Sequence, residues 1–361
     1  MMHQMVWYVV LNIIMIITSS FLLPVGASEE SIRAGESINN NETLTSAGGN
    51  FALGFFSPGN SMNRYIGIWY NTISKQTVIW VANRENPLAK ISHGFLLVWS
   101  SNATIAKLAM NSTVAVLLDT GNLVLRHGET GTVLWHSFDY PTDTLIPGMK
   151  LNWPAKPSVF VANNANPQPG MFSGGIDPEG CPQIFIWKQY RPFWKSTVYD
   201  YSLVYIDHIH QGFASFLTFI KESDEIYLTC CVPENLLKVR VTLTPTGQAQ
   251  LLFWAQSSNS WVVVWQAPVV ECDFYGYCGP FSSCEQNGSH PFCSCLEGFE
   301  PRDQKEWNLG NWTGGCARKM ELTCDKGDWF FKFERTRLPD YSVSLGNVVT
   351  TALAQLMLML I

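Results

Sequence analysis

Six cysteines within 45 residues constrain the fold of this chain more than any other feature of its sequence. Their spacing is C-x5-C-x5-C-x8-C-x-C-x20-C, and they stand at Cys272, Cys278, Cys284, Cys293, Cys295 and Cys316. The residues between them include many glycines and few aliphatic side chains, so this segment cannot build a sufficient hydrophobic core. Disulfides supply the missing stability in small secreted domains of this kind. The segment is therefore predicted to be a disulfide-stabilised module.

A zinc site is the competing interpretation of these cysteines. The set contains no C-x2-C pair, and a secreted chain oxidises its thiols, so disulfides are favoured and no metal or cofactor is expected. Six cysteines can pair in many ways, and the spacing alone does not select one. Outside the set, a further disulfide could join Cys181 to Cys230 or Cys231, or join those two neighbours to each other. Cys324 has no assigned partner.

The N-terminal residues predict a secreted protein. Residues 5–23 are nearly all apolar and small residues follow up to Ala27, which is the pattern of a signal peptide over residues 1–27. An uncleaved membrane anchor is the alternative. No other membrane span is expected, because the apolar tail at 348–361 is shorter than the ~20 residues that a spanning helix needs. The tail is interpreted as a truncated or altered C-terminus, with a lipid-anchor signal as the alternative.

Glycosylation sequons support the same compartment. N-x-S/T sequences predict N-glycans on exposed loops of a secreted chain. Five occur, at Asn41, Asn102, Asn111, Asn287 and Asn311.

The overall composition excludes two classes of protein. The net charge is −6, so no basic field exists to attract nucleic acid. Hydrophobic residues make up 47% of the chain, which provides enough apolar surface for folding and excludes disorder as the main state.

Short apolar runs separated by turn residues fill the region 28–150 and predict an all-β domain. The runs are rich in β-branched and aromatic residues, and no stretch shows a helical period. An apolar residue followed by tryptophan recurs at Trp80, Trp99 and Trp135. Three repetitions of one theme predict a β-prism of three small sheets with the tryptophans at its centre, although the middle repeat is shortened.

A second β region is predicted over residues 151–268. Runs such as Gln183–Trp187, Lys238–Leu243 and Ser260–Trp265 have the composition of strands, and Thr244–Gln248 predicts a turn between two of them. Four prolines between residues 152 and 170 predict a linker there, at Pro154, Pro157, Pro167 and Pro169.

Several long motifs are specific enough to indicate a family. They are NRYIGIWYNTISKQTVIWVANRENPL, LLDTGNLVLR, WHSFDYPTDTLIPGMKL, the cysteine block from CDFYGYCGPFSSC to WNLGNWTGGCARK, and LPD. In this order they resemble the S-locus glycoproteins and the S-domain (G-type lectin) receptor-like Ser/Thr kinases of plants. The resemblance implies a bulb-type lectin domain over 28–150, an S-locus glycoprotein domain over 151–268, an EGF-like module over 269–317 and a truncated PAN/apple domain with an apolar tail over 318–361.

The C-x-C pair followed by Gly298 and Phe299 resembles an EGF-like module. That resemblance implies three disulfides, which join Cys272 to Cys284, Cys278 to Cys293, and Cys295 to Cys316.

The resemblance also raises the question of sugar binding. Bulb-type lectins bind mannose through Q-x-D-x-N-x-V-x-Y, and this chain keeps only Asn122 and Val124 of that motif. Leu118, Thr120 and Arg126 replace its Gln, Asp and Tyr. Each lost hydrogen bond costs about 0.5–1.5 kcal/mol, so the site is predicted to be degenerate. Asn122 is then expected to hold a turn and Val124 to lie in the core.

No enzyme is predicted from the remaining motifs. The sequence contains no kinase Gly-rich loop, H-R-D or kinase D-F-G motif, and no G-x-S-x-G. His208 and His210 are interpreted as exposed edge residues rather than metal ligands. Asp139 and Asp143 are interpreted as parts of a structured turn rather than an acid–base pair.

The chain is therefore expected to be a non-catalytic extracellular recognition module. Its expected ligand is a peptide, protein or glycan in cell-surface signalling, such as recognition of pollen or defence, and a full-length S-domain receptor kinase is a possible partner. The expected location is secreted, or the plasma membrane if the chain is a receptor fragment. The alternatives are a soluble mannose-binding defence lectin and a fragment of a receptor-like Ser/Thr kinase.

Overall fold

The structure is a computed structural model, and it describes most of the chain between residues 31 and 320. The described ranges are 31–39, 42–89, 96–97, 113–153, 158–163, 166–177, 183–197, 217–222, 225–230, 238–287 and 290–320. Their regular structure is nearly all β-strand, which confirms the all-β prediction. Within these ranges no helix has the length and hydrophobicity needed to cross a bilayer. The apolar stretches at 5–23 and 348–361 lie outside the described residues.

The chain divides into two compact units. The first comprises residues 1–144, 164–168 and 255–260, and the second comprises residues 145–163, 169–254 and 261–361.

Eleven short strands are described in the first unit, and they form three sheets. The strand orders are β1-β9-β10-β11, β3-β4-β5-β6 with β7 paired to β5, and β2-β8. The strands are β1 (Ser31–Arg33), β2 (Ser37–Ile38), β3 (Thr43–Thr45), β4 (Phe51–Phe56), β5 (Asn63–Tyr70), β6 (Val78–Val81), β7 (Leu88–Ala89), β8 (Leu96–Leu97), β9 (Thr113–Leu117), β10 (Leu123–His127) and β11 (Val133–His136).

Strand β4 lies at the centre of the first unit's largest sheet. Every residue of this strand is buried, on both faces, because side chains alternate between the two sides of a strand. Leu53 pairs in register with Leu44 on one side and Ile68 on the other. All three of these side chains are buried, so the run FALGFF is a core strand of this unit.

Two of the three tryptophans predicted to cluster are described, and they contact each other. The rings of Trp80 and Trp135 lie 5.9 Å apart in an edge-to-face arrangement. Trp80 also donates a hydrogen bond from its indole N–H to the carbonyl of Tyr140 at 2.9 Å. Trp99, the third member of the predicted set, lies outside the described residues.

The second unit contains the remaining strands and a short helix. Its described sheets have the orders β12-β20-β21-β22, β13-β19-β18, β14-β15-β16-β17, β23-β24 and β25-β26. The elements are β12 (Thr144–Leu145) at the boundary of the two units, then β13 (Lys150–Trp153), β14 (Ser158–Asn163), β15 (Asn166–Ile176), β16 (Ile184–Lys188), β17 (Arg191–Lys195), β18 (Leu217–Glu222), β19 (Glu225–Cys230), β20 (Val239–Leu243), β21 (Ala249–Ala255), β22 (Ser260–Ala267), β23 (Ser282–Asn287), β24 (His290–Cys295), β25 (Phe299–Pro301), α1 (Gln304–Asn308) and β26 (Cys316–Arg318).

One hydrophobic cluster joins two of these sheets. Its buried members come from strands β15, β16, β17, β20 and β22, and the partly buried ring of Trp265 packs against them. They are Phe172, Ile186, Trp194, Leu243 and Ala267. The predicted turn between β20 and β21 is confirmed, since the Gly247 amide donates to the Thr244 carbonyl at 2.9 Å.

The predicted linker over 152–170 is wrong. Strand β14 and the first part of β15 lie within it. The prolines misled the prediction because proline cannot donate a ladder hydrogen bond. Pro167 and Pro169 belong to β15, but they precede the residues of β15 that pair with β16, which begin at Phe172. Neither proline therefore has to donate a hydrogen bond to β16, and a proline is compatible with a sheet where no neighbouring strand needs its N–H.

Candidate functional site

Three disulfides hold the module near the C-terminal end of the described chain. They join Cys272 to Cys284, Cys278 to Cys293, and Cys295 to Cys316, across 12, 15 and 21 residues. These are the pairs that the EGF-like resemblance implies. Strands β23 and β24 form a hairpin in which Cys284 lies opposite Cys293. Three of the six sulfur-bearing side chains are buried, at Cys278, Cys293 and Cys316, so the bonds replace the missing apolar core.

Three cysteine sulfurs come close enough to resemble a metal site. The Sγ atoms of Cys278, Cys284 and Cys293 all lie within 4.8 Å of one another. Each of these sulfurs is bonded in a disulfide, and two disulfides side by side account for the short distances. Metal-ligating cysteines are thiolates.

Two glycines allow the module's backbone to cross itself at short range. A Cβ placed on Gly279 would come within 2.5 Å of the Gly315 nitrogen. Both glycines also have positive φ, at 74° and 65°, which residues with side chains rarely adopt. The close approach lets the Cys316 amide donate to the Pro280 carbonyl at 2.8 Å.

The remaining cysteines are only partly described. Cys230 ends strand β19 and its side chain is buried. Cys181, Cys231 and Cys324 lie outside the described residues. The proposed additional disulfide of Cys181 with one of the neighbouring pair therefore stays a prediction.

Two of the five sequon asparagines lie in described segments. Asn311 is exposed, and the Thr313 hydroxyl of the same sequon donates to Asn311 Oδ1 at 2.7 Å. Asn287 ends strand β23, opposite His290 in the hairpin. Asn41, Asn102 and Asn111 lie outside the described residues. Glycosylation at all five stays a prediction.

Asn122 occupies the degenerate sugar site, and its side chain is engaged within the protein. Its Oδ1 accepts hydrogen bonds from the Ser137 hydroxyl at 3.1 Å and the Phe138 amide at 3.3 Å. Its Nδ2 lies 3.2 Å from Nδ1 of His136. The Asn122 carbonyl accepts from the Leu118 amide at 2.9 Å, which closes the turn between β9 and β10. These bonds use both ends of the amide that a sugar would need.

The other positions of the degenerate mannose motif also offer little to a sugar. Val124 is buried in β10, between its pairing partners Val116 and His136. Thr120 is exposed in the turn and Arg126 is half-buried on β10. A sugar at this position would meet few of the polar groups that recognise its hydroxyls.

Two carboxylates are predicted to belong to a turn. Asp139 is the last residue of a short 3₁₀ segment, Ser137–Asp139, and Asp143 follows four residues later. Asp139 is exposed, whereas Asp143 Oδ1 accepts from the hydroxyls of Thr142 at 3.3 Å and Thr144 at 3.2 Å. Burial lowers the pKa of Arg84, and the negative charge of Asp143 partly offsets this effect. Asp143 therefore has charge and hydrogen-bond partners of its own. His208 and His210 lie outside the described residues.

An exposed aromatic residue at a hairpin tip is a candidate contact that the sequence reasoning missed. Gln189 and Tyr190 form the two-residue connection between β16 and β17, and both have positive φ, at 48° and 71°. Tyr190 is 97% exposed. Two-residue hairpin loops favour this backbone, but glycine or asparagine usually supplies it. The strand-like runs on either side of Gln189 were the signal that could have located the tip.

The tip also carries positive charge. Lys188 and Arg191 flank the two turn residues, and both are exposed. Lys188 Nζ lies 5.7 Å from the centre of the Phe172 ring. Tyrosine and arginine are among the residue types that are enriched in the dominant contacts of protein interfaces. The tip therefore presents an aromatic and cationic surface to solvent.

Comparison with known proteins gives two family matches. Residues 77–165 match the family described as D-mannose binding lectin, and residues 194–303 match the S-locus glycoprotein domain. Neither of these matched domains is a kinase domain. A solved structure of a two-domain, fetuin-binding lectin from Scilla campanulata is 14% identical and covers 66% of this chain and 87% of its own, with a TM-score of 0.12. That score carries no weight for fold or function.

Two similar plant proteins differ in how much of their own length this chain covers. Receptor-like serine/threonine-protein kinase SD1-8 of Arabidopsis thaliana is 36% identical over 87% of this chain, but only 40% of the kinase is covered. The chain thus spans less than half the length of that relative. The S-locus-specific glycoprotein S6 of Brassica oleracea is 33% identical over 95% of this chain and 83% of its own length. The chain therefore belongs to the S-locus glycoprotein family, whose relatives include the G-type lectin S-receptor-like kinases of plants.

Proposed function

We propose that this chain is a non-catalytic extracellular recognition module that binds a peptide, protein or glycan in cell-surface signalling, such as recognition of pollen or defence. The observation that carries the proposal is its similarity to an S-locus-specific glycoprotein over 83% of that protein's length. The whole chain works outside the cell, either secreted or at the plasma membrane, and it can associate with a full-length S-domain receptor kinase.

Within this proposal, Tyr190 is a principal contact with the ligand. Its ring is almost fully exposed, and its backbone is fixed by the paired strands β16 and β17. A backbone that is already fixed reduces the ordering cost of binding, so only the side chain has to be ordered. Lys188 and Arg191 beside it favour a ligand with acidic groups.

The first experiment determines the chemistry of the ligand. The full chain, produced in a eukaryotic host and immobilised, is exposed to extracellular fluid from plant tissue that has been left untreated, digested with protease or oxidised with periodate. Loss of binding after protease digestion identifies a peptide or protein ligand. Loss of binding after periodate oxidation identifies a glycan. Absence of any saturable binding in all three arms would contradict the proposal.

The second experiment tests the hairpin tip. Tyr190→Ala is expected to weaken the binding found in the first experiment at least tenfold, on the order of the 1–2 kcal/mol or more that separates interface anchors from neutral contacts. Leu309→Ala is the matched control, because Leu309 is also strongly exposed but lies in the disulfide module. Equal binding by the two variants would remove Tyr190 from the site.

A soluble mannose-binding defence lectin is the alternative that the lectin-family match favours. The bonds of Asn122 argue against it, since the amide is already engaged by His136, Ser137 and Phe138. Passage of the full chain over mannose-agarose separates the two functions. Elution in the flow-through agrees with the first proposal, and retention released by free mannose would establish the alternative.

A fragment of a receptor-like Ser/Thr kinase is the third candidate. The coverage of only 40% of a kinase relative favours it. Transcripts from the source plant that continue past residue 347 into a transmembrane helix and a kinase would support it. Transcripts that end shortly after residue 361 would oppose it.

A further inference from the structure

Tyr140 exposes its ring at the surface of the first unit, although its backbone is fixed on both sides. It follows the 3₁₀ segment Ser137–Asp139, and its amide donates to the Ser137 carbonyl at 3.0 Å. Its own carbonyl accepts from the indole N–H of Trp80 at 2.9 Å. The residue is nevertheless 59% exposed. The fold therefore holds the backbone of Tyr140 in place while its side chain meets solvent.

One face of the Tyr140 ring is covered by a second aromatic ring. Trp135 stacks on it, with the ring centres 5.7 Å apart and the planes 15° from parallel. Trp135 packs in turn edge-to-face against Trp80 at 5.9 Å. Because one face is stacked and more than half of the residue is exposed, the opposite face is open to solvent. A side chain that is fixed before binding loses less conformational freedom when it binds.

An open aromatic face attracts cations. The face of a tyrosine ring carries negative potential and attracts a cation that lies within about 6 Å of its centre. In the second unit, Lys150 lies 4.0 Å from the centre of the Tyr227 ring and Lys195 lies 6.0 Å from that of Tyr275. No lysine or arginine among the described residues makes this contact with Tyr140. Its open face is therefore available to a cation of another molecule.

Asp139 adds a negative charge next to this ring in the chain. Its side chain is exposed, and it makes no hydrogen bond or ion pair with any residue that the structure describes. Asp143 differs in this respect, since the hydroxyls of Thr142 and Thr144 donate to it. The carboxylate oxygens of Asp139 are therefore available to donors of a ligand.

An open aromatic face next to a carboxylate has the chemistry that suits a guanidinium group. Arginine is planar, stacks on aromatic rings and donates paired hydrogen bonds to a carboxylate. The ammonium of lysine is a compact and more strongly hydrated charge, so it gains less from an aromatic face. Asp139 and Tyr140 together therefore favour arginine over lysine.

We propose that Asp139 and the open face of Tyr140 form a contact site for an arginine side chain of a basic peptide segment. The guanidinium stacks on the Tyr140 ring and donates to the Asp139 carboxylate. This site lies in the first unit and goes beyond the recognition function proposed above, because it requires neither Tyr190 nor the ligand sought in the first experiment.

Model peptides test the proposal on the full chain. The immobilised chain is titrated, at physiological ionic strength, with short capped peptides that alternate glycine with arginine, with lysine or with citrulline, the neutral isostere of arginine. The arginine peptide is expected to bind saturably and at least about threefold more tightly than the lysine peptide, and the citrulline peptide is expected not to bind. Absence of saturable binding by the arginine peptide would overturn the proposal, as would equal binding of either other peptide.

Removal of the carboxylate tests the charged half of the site. Asp139→Asn is expected to weaken binding of the arginine peptide at least about threefold, whereas Asp139→Glu keeps the charge and should retain most of the binding. Glu129→Gln is the matched control, because it removes one negative charge from another exposed turn residue of the first unit. Equal losses in Asp139→Asn and Glu129→Gln would show an effect of total charge alone and would contradict the site.

Substitution of the ring tests the aromatic half. Tyr140→Phe keeps the ring face and should bind like the parent, whereas Tyr140→Leu is expected to weaken binding about threefold or more. Tyr275→Leu is the matched control, because Tyr275 is also exposed but already has Lys195 near its ring. Equal losses in Tyr140→Phe and Tyr140→Leu would remove the ring face from the site. Thermal unfolding identifies any variant that has lost its fold, and Asp139→Asn then decides the outcome, since Asp139 has no contact of this kind to lose.

Discussion

The first unit and the disulfide module are both made of short strands, but they are stabilised in different ways. In the first unit, β4 is buried on both faces, and Leu53 lies between Leu44 and Ile68. In the module, the β23–β24 hairpin carries polar residues between its cysteines, and three disulfides hold the strands together. The amount of apolar side chain available to a segment decides which of these solutions its strands require.

The largest expected loss of stability comes from a substitution in the apolar core of the first unit. Leu53→Ala removes a side chain with no solvent exposure, and it is expected to lower the free energy of unfolding by about 3–5 kcal/mol. Hydrogen exchange with mass spectrometry should show faster exchange in β4 and β5, with the module unchanged. Met62→Ala, at an exposed position, is the control and should have little effect. A loss below about 1 kcal/mol for Leu53→Ala would mean that β4 is not the core of this unit.

A double cysteine variant tests the disulfide module. Cys278→Ser combined with Cys293→Ser opens a 15-residue connection and is expected to cost about 3 kcal/mol. Exchange should accelerate in β23 and β24 but not in β4. Ser294→Ala, in the same hairpin, serves as the control. Equal acceleration of exchange in β4 would show that the two regions do not unfold separately.

A polar contact of the first unit should matter less than its core. Asn122→Ala removes the acceptor of the Ser137 hydroxyl and the Phe138 amide, and a cost of about 1–3 kcal/mol is expected. Thermal unfolding measures this cost, and Glu129→Ala in a neighbouring exposed turn is the control. The variant should still pass through mannose-agarose in the flow-through, as is expected of the parent chain. A variant with full stability but altered sugar retention would reassign Asn122 to binding.

The smallest expected effect concerns the short helix of the module. The Asp303 carboxylate accepts from the amides of Lys305 and Glu306 at 2.8 and 3.1 Å, which caps the start of α1. Asp303→Ala is expected to cost about 1 kcal/mol, visible as faster exchange over 304–308. Asp303→Asn keeps a capping oxygen and should behave like the parent. If both variants exchange equally fast, charge rather than capping stabilises this helix.

Most of the fold follows from local patterns in the sequence. The strands around Phe51, Tyr65 and Ile79 are predicted because β-branched and aromatic runs are broken by turn residues at short intervals. The linker prediction failed at Pro167 because a proline count does not show where in a strand each proline lies. Pairing between distant segments, such as Thr229 with Lys150 across β13 and β19, has no local signal.

The candidate site was less predictable than the fold. The loss of the mannose motif was visible in Leu118, Thr120 and Arg126. The actual bonds of Asn122 were not, because they depend on Ser137 and Phe138, which approach only when β10 and β11 pair. Exposure of Tyr190 likewise depends on the hairpin between β16 and β17, since tyrosine has no fixed preference for the surface.

The backbone at Gln189 and Tyr190 is dictated by the pairing of the strands on either side, not by the turn residues themselves. Glycine or asparagine would suit these positions at least as well, and neither of the present side chains fills space in the interior. Residues that are not β-branched can therefore replace these two while the sheet beneath the tip is retained, because β-branched side chains are strained at positive φ. A surface with that freedom allows related proteins to diverge in what they recognise without rebuilding the scaffold that carries it.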